Sequence, residues 1–167
     1  PLISDPGYKL VKFCIENNIF LTVIPGPSSI TSALQISSIP INKYMFLGFL
    51  PKTKKGIDEF INLVKKSELT CVFFVSSHKI LLFLEILTTQ INDRKIAICK
   101  EITKMNERVF VGLPQEVLID FRQKSKNALG EFVVVMEGYK NLKKSKDLIP
   151  LETKKIIKKL LNKFSLT

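Results

Sequence analysis

Short apolar runs alternate along the chain with segments whose apolar residues recur every three or four positions. The runs are rich in β-branched and aromatic residues, which predicts strands. The recurring spacing predicts helices with one buried face. We predict strands at residues 19–24, 44–50, 69–75, 95–99, 108–111 and 131–136, and helices at 8–18, 28–37, 57–64, 80–91 and from 113 onward. This alternation is typical of the α/β class.

The clearest helix contains Ile57, Phe60, Ile61 and Val64, which follow the spacing i, i+3, i+4, i+7. The acidic residues at 58 and 59 suit the positive N-terminus of a helix. We therefore expect the helix to begin near them, after a basic loop at residues 51–56.

Residues 39–42 have the composition of a linker and mark the best domain boundary. The chain also begins without an initiator Met, inside a dense run of turn-forming residues, so we expect it to be a fragment of a longer protein. We divide it into the remainder of an N-terminal α/β domain at 1–40, a C-terminal α/β domain at 41–140 and a basic, partly helical tail at 141–167.

Charge gives the first indication of a partner. The 167 residues include 26 Lys and Arg against 15 Asp and Glu, a net charge of +11. Such an excess favours polyanions, above all nucleic acid. Nine lysines and two acidic residues lie between positions 140 and 167, which gives +7 there. The apolar and basic residues of this stretch alternate at helical spacing, which fits contact with RNA or a membrane surface, or simply a solvated helix face.

Several classes of site are disfavoured. Cys14, Cys71 and Cys99 are an odd number without CxxC spacing, and each lies in an apolar stretch, so we interpret them as small buried residues of a reducing compartment. A single histidine, His78, argues against a metal site or a Ser/His/Asp triad. No apolar run reaches the roughly 18 residues of a membrane span, and no signal peptide is evident. We expect a cytoplasmic protein with no metal and no membrane partner.

Candidate chemistry lies in short polar segments at the ends of predicted strands. In α/β sheets ligands collect beyond the carboxyl ends of strands, so such segments can converge on one site. The segments are ISDPG at 3–7, PGPSS at 25–29, GFLP at 48–51, FVSSHK at 74–79, KEITK at 100–104, and GEF at 130–132 followed by EG at 137–138.

Taken together in this order, these segments resemble the tetrapyrrole methylase superfamily, and closely its ribosomal RNA small subunit methyltransferase I branch. The resemblance covers nearly the whole chain. It implies two α/β domains with S-adenosylmethionine (SAM) in the cleft between them, the first domain being incomplete here. It also implies a homodimer that transfers a methyl group from SAM to the ribose 2′-oxygen of a cytidine in the decoding region of 16S rRNA. The partner is either the free 16S rRNA or the small ribosomal subunit, and the sequence leaves both open.

The resemblance also implies roles for individual residues. Cofactor-binding positions carried over by motif are Ser4, Asp5, Pro6, Gly7, Pro25, Gly26, Pro27, Ser28, Ser29, Phe74, Val75, Thr103 and Gly130. The helix N-terminus after residue 27 is a suitable place for the carboxylate of SAM.

Methyl transfer from a sulfonium needs placement of the 2′-oxygen and a base that takes its proton. We select Glu101 and Lys104 as catalytic residues, with Glu131 and His78 as other candidate bases. Substrate RNA is assigned to Lys52, Lys54, Lys55, His78 and Lys79.

Departures from the family pattern leave alternatives open. The first strands, a Pro-Ile-Gly-Asn segment and half of the glycine loop are absent, Val75 stands where the family usually has Glu, and Lys79 replaces Arg. We therefore expect residues 1–167 alone to bind SAM poorly. The alternatives are a carbon methyltransferase for a corrin or porphyrin precursor, and a non-catalytic basic RNA-binding module.

Overall fold

The computed structural model describes residues 2–123 and 125–140. The predicted basic tail at 141–167 lies outside the described residues. The helices are α1 (Tyr8–Glu16), α2 (Ser29–Ile36), α3 (Lys54–Lys66), α4 (Ser77–Gln90) and α5 (Pro114–Gln123), followed by a 3₁₀ turn at Ser125–Ala128. The strands are β1 (Tyr44–Phe49), β2 (Thr70–Ser76), β3 (Ile96–Lys100), β4 (Arg108–Gly112) and β5 (Glu131–Met136). The α/β class predicted from the sequence is confirmed.

The five strands form one mixed sheet in the order β1-β2-β5-β3-β4. The pairing of β1 with β2 is parallel, and the other three pairings are antiparallel. The last of the described strands, β5, therefore lies in the centre of the sheet, between β2 and β3.

The two faces of the sheet have separate cores because successive strand residues point to opposite sides. Along β5, Phe132, Val134 and Met136 face a large cluster that also includes buried residues of α3, α4 and α5. Val133 and Val135 face a smaller cluster that is closed by residues of α2. Helix α2 thus covers the face of the sheet opposite the three larger helices.

The linker at 39–42 is held firmly against the sheet. Ile39 is buried in the α2 cluster, and the Thr70 hydroxyl donates to the Pro40 carbonyl at 2.6 Å. The division of the chain at this linker into two domains stays a prediction.

The strand predicted at residues 19–24 is wrong. These residues form no regular secondary structure, and Phe20, Val23 and Ile24 are each more than four-fifths exposed. A strand is stabilised by hydrogen bonds to a neighbour, and no described strand pairs with this segment. An apolar, β-branched run has a high β-strand propensity, but this propensity alone does not form a strand without a neighbour to pair with.

The predicted start of α3 is also wrong. The Thr53 side chain accepts a hydrogen bond from the Gly56 N–H at 3.1 Å, so the helix begins at Lys54. Asp58 and Glu59 lie beyond the first turn, and Lys54 and Lys55 belong to the helix rather than to a loop. The four apolar residues of its predicted buried face are buried as expected.

Within the described ranges, no helix is long and apolar enough to cross a membrane.

Candidate functional site

A cleft opens at the end of the sheet where β2 and β3 finish and β5 begins. The register places Ser76 opposite Glu131 and Lys100 opposite Phe132, so these three strand ends lie side by side. A cavity of about 430 Å³ lies there. It is lined by Ser29, Phe49, Phe74, Val75, Ser76, Ser77, His78, Cys99, Ile102, Gly130, Glu131, Phe132 and Val133.

An irregularity in β1 builds the aromatic wall of this cleft. Phe46 pairs with Val72 and Phe49 with Phe74, so three steps along β1 match two along β2. Gly48 lies in this bulge with φ of 72°, a conformation that favours glycine. The bulge brings the Phe49 ring to 4.9 Å from the Phe74 ring, while Phe49 stays 61% exposed. Space beside Gly48 is open, since a Cβ there would contact nothing within 4 Å.

Two helix N-termini bring polar groups to the same cleft. Ser29 is the first residue of α2, and Ser77 is the first residue of α4, directly after β2. The N–H groups of a first helical turn have no acceptor inside their own helix. The Ser28 and Ser76 side chains make no capping hydrogen bond. The cleft therefore offers N–H and hydroxyl donors beside an aromatic wall.

An ion-pair network links the end of β3 to the start of β5. Lys104 Nζ donates to Glu101 Oε1 at 3.2 Å and to Glu131 Oε2 at 2.9 Å. Glu101 Oε1 also accepts from the Glu131 backbone N–H at 2.8 Å. Gly130 has φ of 115°, and a Cβ there would lie 2.8 Å from the Glu101 carboxylate. Glycine at 130 is thus what lets this carboxylate reach the rim of the cleft.

This network changes the acid–base chemistry of its members. The pKa of the Glu101 carboxyl is lowered, first because the Glu131 N–H donates to it and then because Lys104 does. The pKa of Lys104 is raised by its hydrogen bonds to Glu131 and then to Glu101. A carboxylate with a lowered pKa is a weaker base, so the geometry favours Glu101 as a residue that holds the rim. The catalytic roles of Glu101 and Lys104 stay predictions.

Cys99 lies in the wall of the cleft without being reactive. It is fully buried, and burial raises the pKa of its thiol to about 12. The thiol stays protonated at neutral pH, and only the thiolate is a strong nucleophile. The prediction that the three cysteines are buried is confirmed.

The structure brings some of the predicted site residues together. Ser29, Phe74, Val75, Gly130 and His78 line the cleft, and Glu101 and Lys104 lie at its rim through Glu131. The described lining does not include Ser4, Asp5, Pro6, Gly7, Pro25, Gly26, Pro27, Ser28, Thr103, Lys52, Lys54, Lys55 or Lys79.

Lys79 has a local role in the fold. Its Nζ donates to the Pro51 carbonyl at 2.7 Å and so ties α4 to the segment before α3.

The site list drawn from the sequence missed part of the wall. Phe49, Ser76, Ser77, Ile102, Phe132 and Val133 all line the cleft but were not assigned a role. The sequence could have indicated Phe49, because it follows a glycine within an apolar strand, and such a glycine is typical of a bulge. The apolar residues at 102, 132 and 133 had no such signal, since buried strand residues follow the same pattern whether they face a core or a cavity.

Comparison with known proteins assigns the family. The sequence model described as "Tetrapyrrole (Corrin/Porphyrin) Methylases" matches residues 1–118. The chain is 38% identical over 138 residues to "Ribosomal RNA small subunit methyltransferase I" of Thermotoga maritima, covering 83% of this chain and 61% of that protein. It is also 38% identical over 139 residues to the protein of the same name from Mycobacterium tuberculosis (strain CDC 1551 / Oshkosh), covering 83% and 48%. The protein of that name from Buchnera aphidicola subsp. Baizongia pistaciae is 34% identical over 165 residues, covering 95% and 55%.

This chain therefore spans between 48% and 61% of the length of these curated relatives. Among solved structures, "methyltransferase CobJ" matches with a TM-score of 0.54 at 13% identity, over 78% of this chain and 56% of that one. A uroporphyrin-III-C-methyltransferase from Thermus thermophilus also matches with a TM-score of 0.54, at 15% identity, over 82% and 60%. At such identities the likeness concerns the fold. With a family model that matches more than two-thirds of the sequence, the chain belongs to the tetrapyrrole (corrin/porphyrin) methylase family.

Proposed function

We propose that this protein is a SAM-dependent methyltransferase that methylates the ribose 2′-oxygen of a cytidine in small-subunit ribosomal RNA. The observation that carries the proposal is the 31–38% identity to proteins named ribosomal RNA small subunit methyltransferase I, over most of the chain. A homodimer that works in the cytoplasm is part of the same proposal and rests on the resemblance alone.

The cleft suits SAM in size and chemistry. Its volume of about 430 Å³ falls within the range of small-molecule sites, roughly 300–1,000 Å³. The Phe49 and Phe74 rings offer apolar faces for an adenine and a favourable surface for a sulfonium cation. The N-terminus of α2, with the Ser29 hydroxyl beside it, suits the carboxylate of the methionine part. These residues would hold the cofactor on one side of the cleft.

SAM supplies an electrophilic methyl group when it is bound, so the protein's own task is placement and proton transfer. His78 and Glu131 line the cleft with exposed side chains, which makes each a candidate to take the 2′-hydroxyl proton. We propose that Glu101 and Lys104 act through Glu131, by fixing its backbone and carboxylate at the rim.

The proposal is tested by methyl transfer from tritiated SAM to small ribosomal subunits that lack the modification, with the natural gene product as the enzyme. We expect label on a single cytidine, at a ribose, after nuclease digestion. Phe49→Ala should lower kcat/KM about tenfold through lost contact with the cofactor, equivalent to about 1.4 kcal/mol. Tyr44→Ala, an exposed aromatic at the opposite end of the same strand, should leave it unchanged.

Other outcomes contradict the proposal in distinct ways. Label on a corrin or porphyrin precursor instead of a ribose would assign the protein to tetrapyrrole methylation. Salt-sensitive RNA binding without any methyl transfer would favour a non-catalytic RNA-binding module.

A further inference from the structure

A second cavity adjoins the cleft and carries a different set of side chains. Its volume is about 660 Å³, and it lies between the end of β3, the start of β4 and the 3₁₀ turn. It is lined by Lys100, Glu101, Asn106, Arg108, Lys126, Asn127, Leu129 and Gly130. Gly130 lines both cavities, so the two share a wall at the start of β5.

We propose that this second cavity binds the phosphodiester backbone of the RNA whose ribose is methylated in the cleft. The inference rests on the proposed function, because it places the bound anion beside a reacting ribose. A phosphate is attached to the ribose carbon next to the 2′-hydroxyl. A phosphate site that shares a wall with the cleft is therefore where an RNA substrate needs one.

Lys100 is the strongest indication of an anionic ligand. It is only 7% exposed, and its Nζ donates to the Lys126 carbonyl. An ammonium group has three donors, and this carbonyl is the one acceptor that the described residues supply to it. No carboxylate in the described part of the chain forms a salt bridge with it. Its charge acts on the Glu101 carboxylate of the same cavity without forming a salt bridge. A buried cation that lacks a salt bridge is costly, and a bound phosphate would compensate it directly.

The other cations of the cavity extend this site toward solvent. Arg108 lies directly opposite Lys100 in the β3–β4 register, and both Arg108 and Lys126 are exposed. Three cations thus face one carboxylate, that of Glu101. That carboxylate already accepts from Lys104 and from the Glu131 N–H, so it does not neutralise the cavity. The buried Asn127 donates to the Asp120 carbonyl, which fixes the turn that carries Lys126.

The test compares two double variants of the full 167-residue chain that lose the same charge. The cavity variant is Arg108→Gln with Lys126→Gln, and the matched control is Lys65→Gln with Lys66→Gln at the end of α3, also exposed. All the substituted side chains are exposed, and the Lys126 carbonyl that Lys100 needs is kept. Binding of a short fluorescein-labelled single-stranded RNA is followed by anisotropy as KCl is raised, with circular dichroism to verify folding.

We expect the cavity variant to bind the RNA at least tenfold more weakly. The slope of log K against log salt, which is negative, should become less steep by about one to two, as expected for the loss of phosphate contacts. The control should keep the slope of the parent chain. Lys100→Met, which removes the buried charge and keeps an unbranched side chain, should also weaken binding. Equal losses in the cavity variant and the control, or no loss in either, would overturn the assignment.

The outcome is separable from that of the proposed function. If only the cavity variant loses RNA binding and the parent shows no methyl transfer, the phosphate site is supported and the proposed reaction is rejected. If the parent transfers methyl groups to rRNA, and the cavity variant keeps both this activity and the RNA affinity of the parent, the phosphate site is rejected and the reaction is retained.

Discussion

The two ends of the sheet are built in contrasting ways. At the end away from the cleft, Arg94 is 4% exposed and its guanidinium donates to the carbonyls of Val64, Ser67 and Glu137, at 2.9, 3.5 and 3.3 Å. At the cleft end, Glu101, Lys104 and Glu131 pair with one another through side chains that keep access to solvent. Around Arg94 a buried cation is bonded to backbone carbonyls, whereas at the rim charged side chains are bonded mainly to one another.

This difference implies that one end of the sheet contributes mainly to the stability of the fold and the other mainly to ligand binding. The carbonyls around Arg94 belong to the end of α3 and to the residue after β5, and Gly138 packs so closely on the Glu68 backbone that a Cβ has no room there. The ion pairs at the cleft can exchange partners with a ligand at small cost, since exposed pairs contribute little to stability. Substitutions around Arg94 should therefore reduce the free energy of unfolding, and substitutions at the cleft should mainly alter binding.

The largest expected effect is at Arg94. Arg94→Met leaves the carbonyls of Val64, Ser67 and Glu137 without this donor, and we expect the free energy of unfolding to fall by about 3 kcal/mol in urea titrations. The matched control is Arg122→Met, which removes an exposed ion pair with Glu85 and should cost less than about 1 kcal/mol. Equal losses of unfolding free energy in the two variants would show that the hydrogen bonds of Arg94 do not specially stabilise this end of the sheet.

A smaller loss is expected at the glycine of the rim. Gly130→Ala places a Cβ against the Glu101 carboxylate and imposes strain at φ of 115°. We expect it to cost about 1–3 kcal/mol in thermal or urea unfolding and to displace Glu101 from the Glu131 N–H. Gly26→Ala is the control, because the nearest atom to its Cβ would be 3.9 Å away. A Gly130→Ala protein as stable as the control would contradict the described rim.

The smallest effect is expected at Glu101 itself and should depend on pH. The lowered pKa of Glu101 means that its ionised form stabilises the fold above the pKa of the unfolded state, about 4.3, and that this contribution is lost as the pH falls through the folded pKa. The difference in unfolding free energy between the parent and Glu101→Gln should be level from about pH 5 to 9 and shrink below about pH 4. Urea titrations across this range measure it, and a difference that does not vary with pH would show that the charge is not what matters.

The sequence predicted the elements whose patterns are local. The buried face of α3 and the buried strands β2, β3 and β5 follow from spacing and composition. The strand order did not follow, because hydrophobic periodicity tells which face of a strand is buried and not which strand lies beside it. Residues 19–24 show the same limit, since their composition suits a strand but the described chain offers them no neighbour.

The candidate site was predictable only where a motif pointed to it. Ser29, Phe74, Val75 and Gly130 were found through the family resemblance, and they do line the cleft. The second cavity was missed because Lys100, Arg108 and Lys126 are far apart in sequence and each resembles an ordinary surface lysine or arginine. Only the β3–β4 register and the 3₁₀ turn bring them together.

The central place of β5 sets an order of events in folding. Strands β2 and β3 come earlier in the chain, yet neither pairs with the other, and each waits for residues 131–136 to fill the gap between them. Pairings of such large sequence separation form slowly, because the intervening chain must lose its freedom before the contacts stabilise it. During synthesis on the ribosome, β2 and β3 each expose an unpaired edge until β5 arrives. Both cavities are lined by Gly130, the residue directly before this strand, so neither cavity is complete until β5 has joined the sheet.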